Sequence, residues 1–260
     1  MKSVGIIGGS GALGGALARA WLDSGEVPDS ELWISNRSGD AGPFVSWSDV
    51  TVTTDTDAMI EAVDIVVLSV PPSAARDLRI SAVEKLVISV MAGVTLAELR
   101  DITGSERVIR AMSSPAAAMR LAYSPWTSGG SLSESDANEA TRLLSATGKS
   151  DRLQTEDQID RFTAITGPVP GFVAAFADAV VAHAIKHDIP NNIAVRATQQ
   201  LFLAAGLQMN DGDRAPRDFV DEMINYDGTT AAGLRTLDAG QLKRAIDQGL
   251  EAAYQRTKTI

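Results

Sequence analysis

The chain has 260 residues, enough for two modest domains or one large one. Its 33 acidic residues against 23 basic ones give a net charge of −10, which argues against nucleic acid or an anionic membrane as partner, since either needs a basic face. It contains no cysteine, so disulfides, thiolate metal sites and cysteine nucleophiles are excluded. The first element is a short apolar strand, Val4-Gly5-Ile6-Ile7, which runs straight into Gly8-Gly9-Ser10-Gly11-Ala12-Leu13-Gly14-Gly15, with an amphipathic segment following at residues 16–22. Glycine lets the backbone come close to a ligand, and a helix that opens there points unpaired N–H groups and its positive dipole end at the turn. Gly8, Ser10, Gly11, Ala12 and Leu13 are therefore expected to cradle a dinucleotide pyrophosphate. The spacing Gly8-x-x-Gly11-x-x-Gly14 is one residue longer than the commonest Gly-x-Gly-x-x-Gly.

Residues 31–34 read as the second strand, followed by Ser35-Asn36-Arg37-Ser38. An NAD site usually carries an acidic residue here for the ribose 2′-hydroxyl, whereas an arginine accommodates a 2′-phosphate. No carboxylate lies between Ser35 and Gly39. Arg37 offers a fork of donors, with Ser35, Asn36 and Ser38 as neutral ones, so the expected cofactor is NADPH (NADP+). Further strands are expected at 50–53, 64–70, 85–90 and 107–110, with helices at 57–62 and 96–101 between them. Continuous apolar runs alternating with helices predict a parallel sheet covered on both faces. Val70-Pro71, Ala92-Gly93 and Met112 then fall at strand ends on the same edge as the glycine turn, where ligands of open α/β sheets bind.

Beyond about residue 157 the strand patterns stop. Residues 172–187 form a helix apolar on most of its circumference, Pro190 suits the first position of a helix running to about 209, and further helices are expected at 216–224, Thr229–Leu237 and 241–256. The fold class is thus α/β, a doubly wound parallel sheet of Rossmann type over residues 1–156, followed by an all-helical domain over 157–260. Such helices lack the polar face a monomer needs, so they are expected to pack against a second subunit, in a homodimer or larger homo-oligomer. No apolar run reads as a membrane span and the N-terminus reads as a strand rather than a signal sequence, so the expected location is the cytoplasm.

Asp227-Gly228-Thr229-Thr230-Ala231-Ala232-Gly233-Leu234-Arg235-Thr236-Leu237-Asp238-Ala239-Gly240 resembles the signature of the pyrroline-5-carboxylate reductases, where Gly-Gly-Thr-Thr leads into a helix. Other segments are similar in the right order: Ser89-Val90-Met91-Ala92-Gly93-Val94 to the strand ending beside the nicotinamide, Val108-Ile109-Arg110-Ala111-Met112 to the Val-Arg-x-Met strand, and 163–172 to the start of the long interface helix. The resemblance implies reduction of a cyclic imine, by default 1-pyrroline-5-carboxylate to proline. It sets the Thr230 hydroxyl beside the imine nitrogen, as the catalytic contact, and Met112, Asp227, Gly228 and Thr229 around the substrate. Threonine also serves as a helix N-cap, so Thr230 has that alternative role. The active site is expected between the sheet edge and the turn at 227–230.

Departures fall at the substrate loops. Met-Pro-Asn-x-Pro becomes Met112-Ser113-Ser114-Pro115, and Ser-Pro-Gly-Gly-Thr-Thr becomes Asn225-Tyr226-Asp227-Gly228-Thr229-Thr230, which sets an acidic Asp227 where a carboxylate should arrive. Competing functions are therefore a reductase of another imine or of a carbonyl, an F420-dependent NADP reductase, whose glycine loop is like residues 8–14, and a non-catalytic NADP(H)-sensing protein. Tyr254-x-x-x-Lys258 matches the tyrosine–lysine pair of short-chain dehydrogenases but lies too late in the chain, and reads as a solvated helix face. Asp64 and the acids Asp218, Asp221 and Glu222 likewise read as solvated charges. His183 and His187 have a zinc-compatible spacing with no third ligand, so no metal is expected.

Overall fold

Short runs of valine, leucine and isoleucine form strands because each is buried on both faces of a parallel sheet. The computed structural model describes residues 2–259 other than 76, 131, 211, 213 and 238–240, so the last three residues of the signature stretch lie outside the described residues. Two compact units are present: Met1–Thr166 together with Tyr254–Ile260, and Gly167–Ala253.

In the first unit the elements follow as β1 (Val4–Ile7), α1 (Ala12–Ser24), β2 (Leu32–Ser35), β3 (Thr51–Thr53), α2 (Thr56–Ala62), β4 (Ile65–Leu68), α3 (Pro72–Ala75), β5 (Leu86–Ser89), α4 (Leu96–Thr103) and β6 (Val108–Ala111). Then come β7 (Ala122–Tyr123), β8 (Trp126–Ser128), α5 (Glu134–Ser145), β9 (Gly148–Lys149) and α6 (Glu156–Thr166). The main sheet has the order β3-β2-β1-β4-β5-β6-β8, parallel except for antiparallel β8. This is the doubly wound Rossmann-type sheet the sequence predicts, with its order reversing beside β1. One core packs Ile6, Leu17, Trp21, Ile34 and Trp126 on one face; the other packs Met59, Val66, Leu99 and Val108. The Trp21 indole N–H donates to Leu143 O at 2.7 Å, tying α1 to α5. Arg107 forks onto Asp136 of α5 at 3.0 and 2.6 Å. That hydrogen bond, above all, holds the Asp136 carboxyl below the usual carboxylate range although burial pushes it up.

The second unit holds α7 (Val169–Lys186), α8 (Asn191–Met209), α9 (Pro216–Asn225), α10 (Thr229–Leu237) and most of α11 (Gln241–Thr257). α7 and α8 meet through Phe176 and Phe202, edge to face at 5.3 Å. Pro190 is the N-cap of α8 rather than its first helical residue, its ψ of 136° keeping it extended.

Two expectations are corrected. The 31-residue helical stretch Glu156–Lys186 holds an 18-residue window apolar enough to cross a bilayer by length and composition, contrary to the expectation that no run reaches that length. An all-round apolar helix has this composition whether lipid or a protein partner covers it. Tyr254 is not on a solvated face: it is buried and its hydroxyl donates to Asp157 at 2.6 Å, while Lys258 is exposed as expected and its Nζ bridges Asp160 at 2.8 Å. The acids lie at the surface as expected, and each also has a partner. Asp64 accepts from the Ser3 N–H and hydroxyl, Asp218 accepts from Ala215 N, Asp221 pairs with Arg217, and Glu222 pairs with Arg214.

Candidate active site

The parallel register aligns Ile7 with Ser35 and Leu68, Leu68 with Ser89, and Ser89 with Arg110. All the loops that leave these strands therefore emerge along one edge: the glycine turn, the Asn36 loop, Val70-Pro71, Ala92-Gly93 and Met112. The sheet thus brings every expected site residue of the first unit to its C-terminal edge.

The glycine turn is built for close approach. Gly8 has φ +84°, and a Cβ there would stand 2.4 Å from Ser69 O; a Cβ on Gly14 would stand 2.5 Å from Gly8 O. Gly8 N donates to Ser35 O and Gly11 N to Gly8 O, which fixes the turn without using the first N–H groups of α1. α1 has no side-chain cap and no acid in its first turn. By contrast α2, α4 and α5 are capped by Asp55, Thr95 and Ser133. Ser10, Gly11 and Ala12 are exposed and Leu13 half-buried. An uncapped helix start behind exposed small residues fits an anionic group such as a pyrophosphate.

The loop after β2 is organised by Asn36. Its Nδ2 donates to Ser10 Oγ at 2.7 Å and to Asp40 O at 2.9 Å, while its Oδ1 accepts from Ser38 N and Gly39 N. This fastens the loop to the glycine turn. Arg37 and Ser38 are exposed, and the Arg37 guanidinium has no partner among the described residues. Ser35 is placed differently: its buried hydroxyl shares a 2.8 Å hydrogen bond with Thr56, and only its carbonyl meets the turn. Val70, Ala92 and Gly93 are half-buried and Pro71 is exposed; Met112 is buried, its N–H donating to Pro125 O.

In the second unit, Thr229 opens α10 and Thr230 is its second residue, so Thr230 does not occupy the N-cap position. Its side chain is exposed, lines a cavity, and has no hydrogen-bond partner among the described residues. Asp227 has φ +56°, and its carboxylate pairs with Arg235 Nη1 at 2.8 Å. His183 and His187 stack at 4.7 Å, and no group of three or more metal-ligating His, Cys, Asp or Glu side chains occurs among the described residues.

The family model described as pyrroline-5-carboxylate reductase dimerisation matches residues 156–260, and one described as NADP oxidoreductase, coenzyme F420-dependent, matches residues 3–93. The pyrroline-5-carboxylate reductase of Glycine max is 28% identical over 97% of this chain and 94% of the relative. Pyrroline-5-carboxylate reductase 2 of Bacillus subtilis is 28% identical over all of this chain and 95% of that one. Over nearly its whole length the chain is thus similar to pyrroline-5-carboxylate reductases. The solved pyrroline-5-carboxylate reductase of Coxiella burnetii shares the fold, with a TM-score of 0.87 at 23% identity over 99% of this chain and 98% of that chain.

Where this chain departs from the reductase family's substrate loops, the structure shows what fills the place. Beside Met112, Ser113 Oγ, Ser124 Oγ and Thr147 Oγ1 form a buried hydroxyl chain at 2.9 and 3.1 Å, ending on Leu144 O. Arg110 of the Val-Arg-x-Met strand is almost wholly buried, bound to Glu156 at 3.2 Å and Asp160 at 2.6 Å. Glu156 also accepts from Leu96 N, just after Ala92-Gly93. Sequence reasoning missed this network. Its signal was the arginine inside an apolar strand, which demands a buried counter-charge.

Proposed function

We propose that this chain is an NADPH-dependent reductase of a cyclic imine, by default reducing 1-pyrroline-5-carboxylate to proline in the cytoplasm. The observation that carries the reading is a chain with both halves of the apparatus: an uncapped glycine turn at the sheet edge, and a dimerisation-family second half bearing the unpartnered Thr230 hydroxyl. When bound, NADPH supplies the hydride. The first N–H groups of α1 and the turn residues Gly8, Ser10, Gly11, Ala12 and Leu13 hold its pyrophosphate; Arg37, Asn36 and Ser38 receive the 2′-phosphate. Val70, Pro71, Ala92 and Gly93 shape the edge that orients the nicotinamide, with Met112 toward the substrate.

A cyclic imine can arrive already protonated, so the site needs no strong acid. Thr230 Oγ1 accepts a hydrogen bond from the iminium N–H, and Asp227, Gly228 and Thr229 form the substrate turn. The Asp227–Arg235 pair neutralises the acid that would otherwise repel a substrate carboxylate. The exposed apolar faces of α7 and α8 dock on a second copy, giving a homodimer or larger homo-oligomer. Light scattering should return a mass above the 27.4 kDa of one chain at micromolar concentration.

A second reading, an F420-dependent NADP reductase, draws on the family match over residues 3–93, which stops short of the second unit. Steady-state oxidation of NADPH tests both readings. The imine reading expects turnover with 1-pyrroline-5-carboxylate and related cyclic imines, and none with F420 or a simple carbonyl. NADPH binding without turnover on any of these would leave a sensor rather than an enzyme.

A further inference from the structure

α1 and α4 both open at the C-terminal edge of the sheet, and their starts are finished in opposite ways. α1 has no side-chain cap, whereas α4 is closed by side chains. Thr95 Oγ1 accepts from Glu98 N at 3.2 Å and Glu98 Oε2 accepts from Thr95 N at 2.7 Å, a reciprocal cap. The next amide, Leu96 N, donates to Glu156 Oε1 at 2.8 Å. The same oxygen accepts from Arg110 Nη1 at 3.2 Å. Arg110 lies in register with Ser89 and two residues before Met112. Glu156 Oε1 therefore joins the loop between β5 and α4 to the end of β6. That loop is also held at its near end, where Met91 N donates to Ser89 Oγ at 3.2 Å. Between the two fastenings Val90, Met91 and Val94 are buried, and Ala92 and Gly93, with φ +72° at Gly93, form the half-buried crest. Asp160 Oδ1 sits closer to Arg110, at 2.6 Å from Nη2, and supplies the counter-charge that a buried guanidinium requires. The contact to Leu96 N is what Glu156 adds.

We infer that Glu156 is a positioning residue for the nicotinamide: its carboxylate clasps the loop carrying Ala92 and Gly93 to β6, which fixes that edge of the site relative to Met112. The inference rests on the reading that NADPH lies along this sheet edge with Ala92 and Gly93 beside its nicotinamide. Glu156 acts through Leu96 N and Arg110 rather than on the cofactor. The glycine turn and Arg37 follow β1 and β2, so the adenosine end of the cofactor is held independently of the clasp.

Leu96 N is the first amide of α4 and has its acceptor in Glu156, so its deuterium exchange in the ligand-free enzyme reads the clasp directly. Glu156→Ala should speed that exchange about tenfold or more, as expected for the loss of one hydrogen bond to a charged group. Affinity for adenosine 2′,5′-bisphosphate, which lacks the nicotinamide, should stay within about twofold, while affinity for NADPH falls about fivefold or more and turnover of 1-pyrroline-5-carboxylate about tenfold. Glu156→Gln keeps an acceptor and should restore most of each loss. Asp160→Asn alters the closer partner of Arg110 but leaves Leu96 N bonded. It should lower unfolding stability and leave both the exchange and the ratio of the two affinities near wild type. Unchanged exchange or an unchanged affinity ratio in Glu156→Ala, or equal losses in Asp160→Asn, would overturn the inference. A wild-type enzyme that binds NADPH but reduces no imine would sink the proposed reaction alone, because exchange and binding still decide the role of Glu156. One that does not bind NADPH would overturn both.

Discussion

The two units stabilise themselves in opposite ways. The first has two apolar cores sealed by strands and helices. In the second, the buried apolar residues among those described are Ala194 and Ala231 alone, and α7 has none. Phe176, Leu201, Leu203 and Leu207 are each half exposed or more. Burying one such side chain stabilises by about 2 kcal/mol, so half a dozen offset an association cost on the order of 10 kcal/mol. A unit that leaves its apolar area outside is unfinished as a single copy. The first unit carries its stability within itself; the second draws it from a partner.

Breaking the first unit should show the largest effect. Arg107→Met leaves the buried Asp136 carboxylate with only the more distant Lys2 ammonium, at 4.0 Å, and should cost about 4 kcal/mol in denaturant unfolding. The pH dependence gives a second reading. Asp136 is held below its unfolded value, so its contribution is present above about pH 4 and is lost as pH falls through the folded value. In the variant burial is opposed only by the Ser133 hydrogen bond and the Lys2 charge, so destabilisation should begin at a higher pH. Wild-type and variant curves that fall together on acidification would remove Arg107 as the cause.

Next in size, Phe176→Asp sets a charge on the apolar face of α7. It should weaken self-association by about 3 kcal/mol, seen as a shift of the sedimenting species toward 27.4 kDa, with the first unit's unfolding transition little changed. An unchanged mass would mean that this face is not the docking surface. The comparison also applies to ligands. Arg37→Ala, in the first unit, should raise KM for NADPH by about tenfold or more and leave NADH nearly unaffected, since it removes a charged hydrogen bond worth about 2 kcal/mol. Smallest is Thr230→Ala in the second unit: turnover should fall roughly five- to tenfold, about 1 kcal/mol for one neutral hydrogen bond, with NADPH affinity unchanged. Full turnover in that variant would return the imine contact to Thr229.

What could be read from the chain was whatever local sequence decides. The glycine turn, the apolar strands and the start of α10 at Thr229 announce themselves in stretches of five to ten residues. α5 was missed although Ser133 and Asp136 mark its start and Ala140, Leu143 and Leu144 its buried stripe, because a polar, strongly acidic opening disguises the amphipathic face. β8 is three residues long and joins antiparallel, with no signal beyond Trp126. Side-chain pairing at long range was not legible. Arg110 finds Glu156 and Asp160, and Tyr254 finds Asp157 nearly a hundred residues earlier in the chain.

The return of Tyr254 and Lys258 to the first unit makes the chain topologically an insertion: the helical unit interrupts the sheet unit rather than following it. A fragment ending at residue 166 would therefore lose more than the helices. It would keep Glu156, Asp157 and Asp160 while losing the Tyr254 hydroxyl and the Lys258 ammonium that face them. Engineering the nucleotide-binding half as a stand-alone module calls for a short bridge from residue 166 to residue 254, not a stop codon.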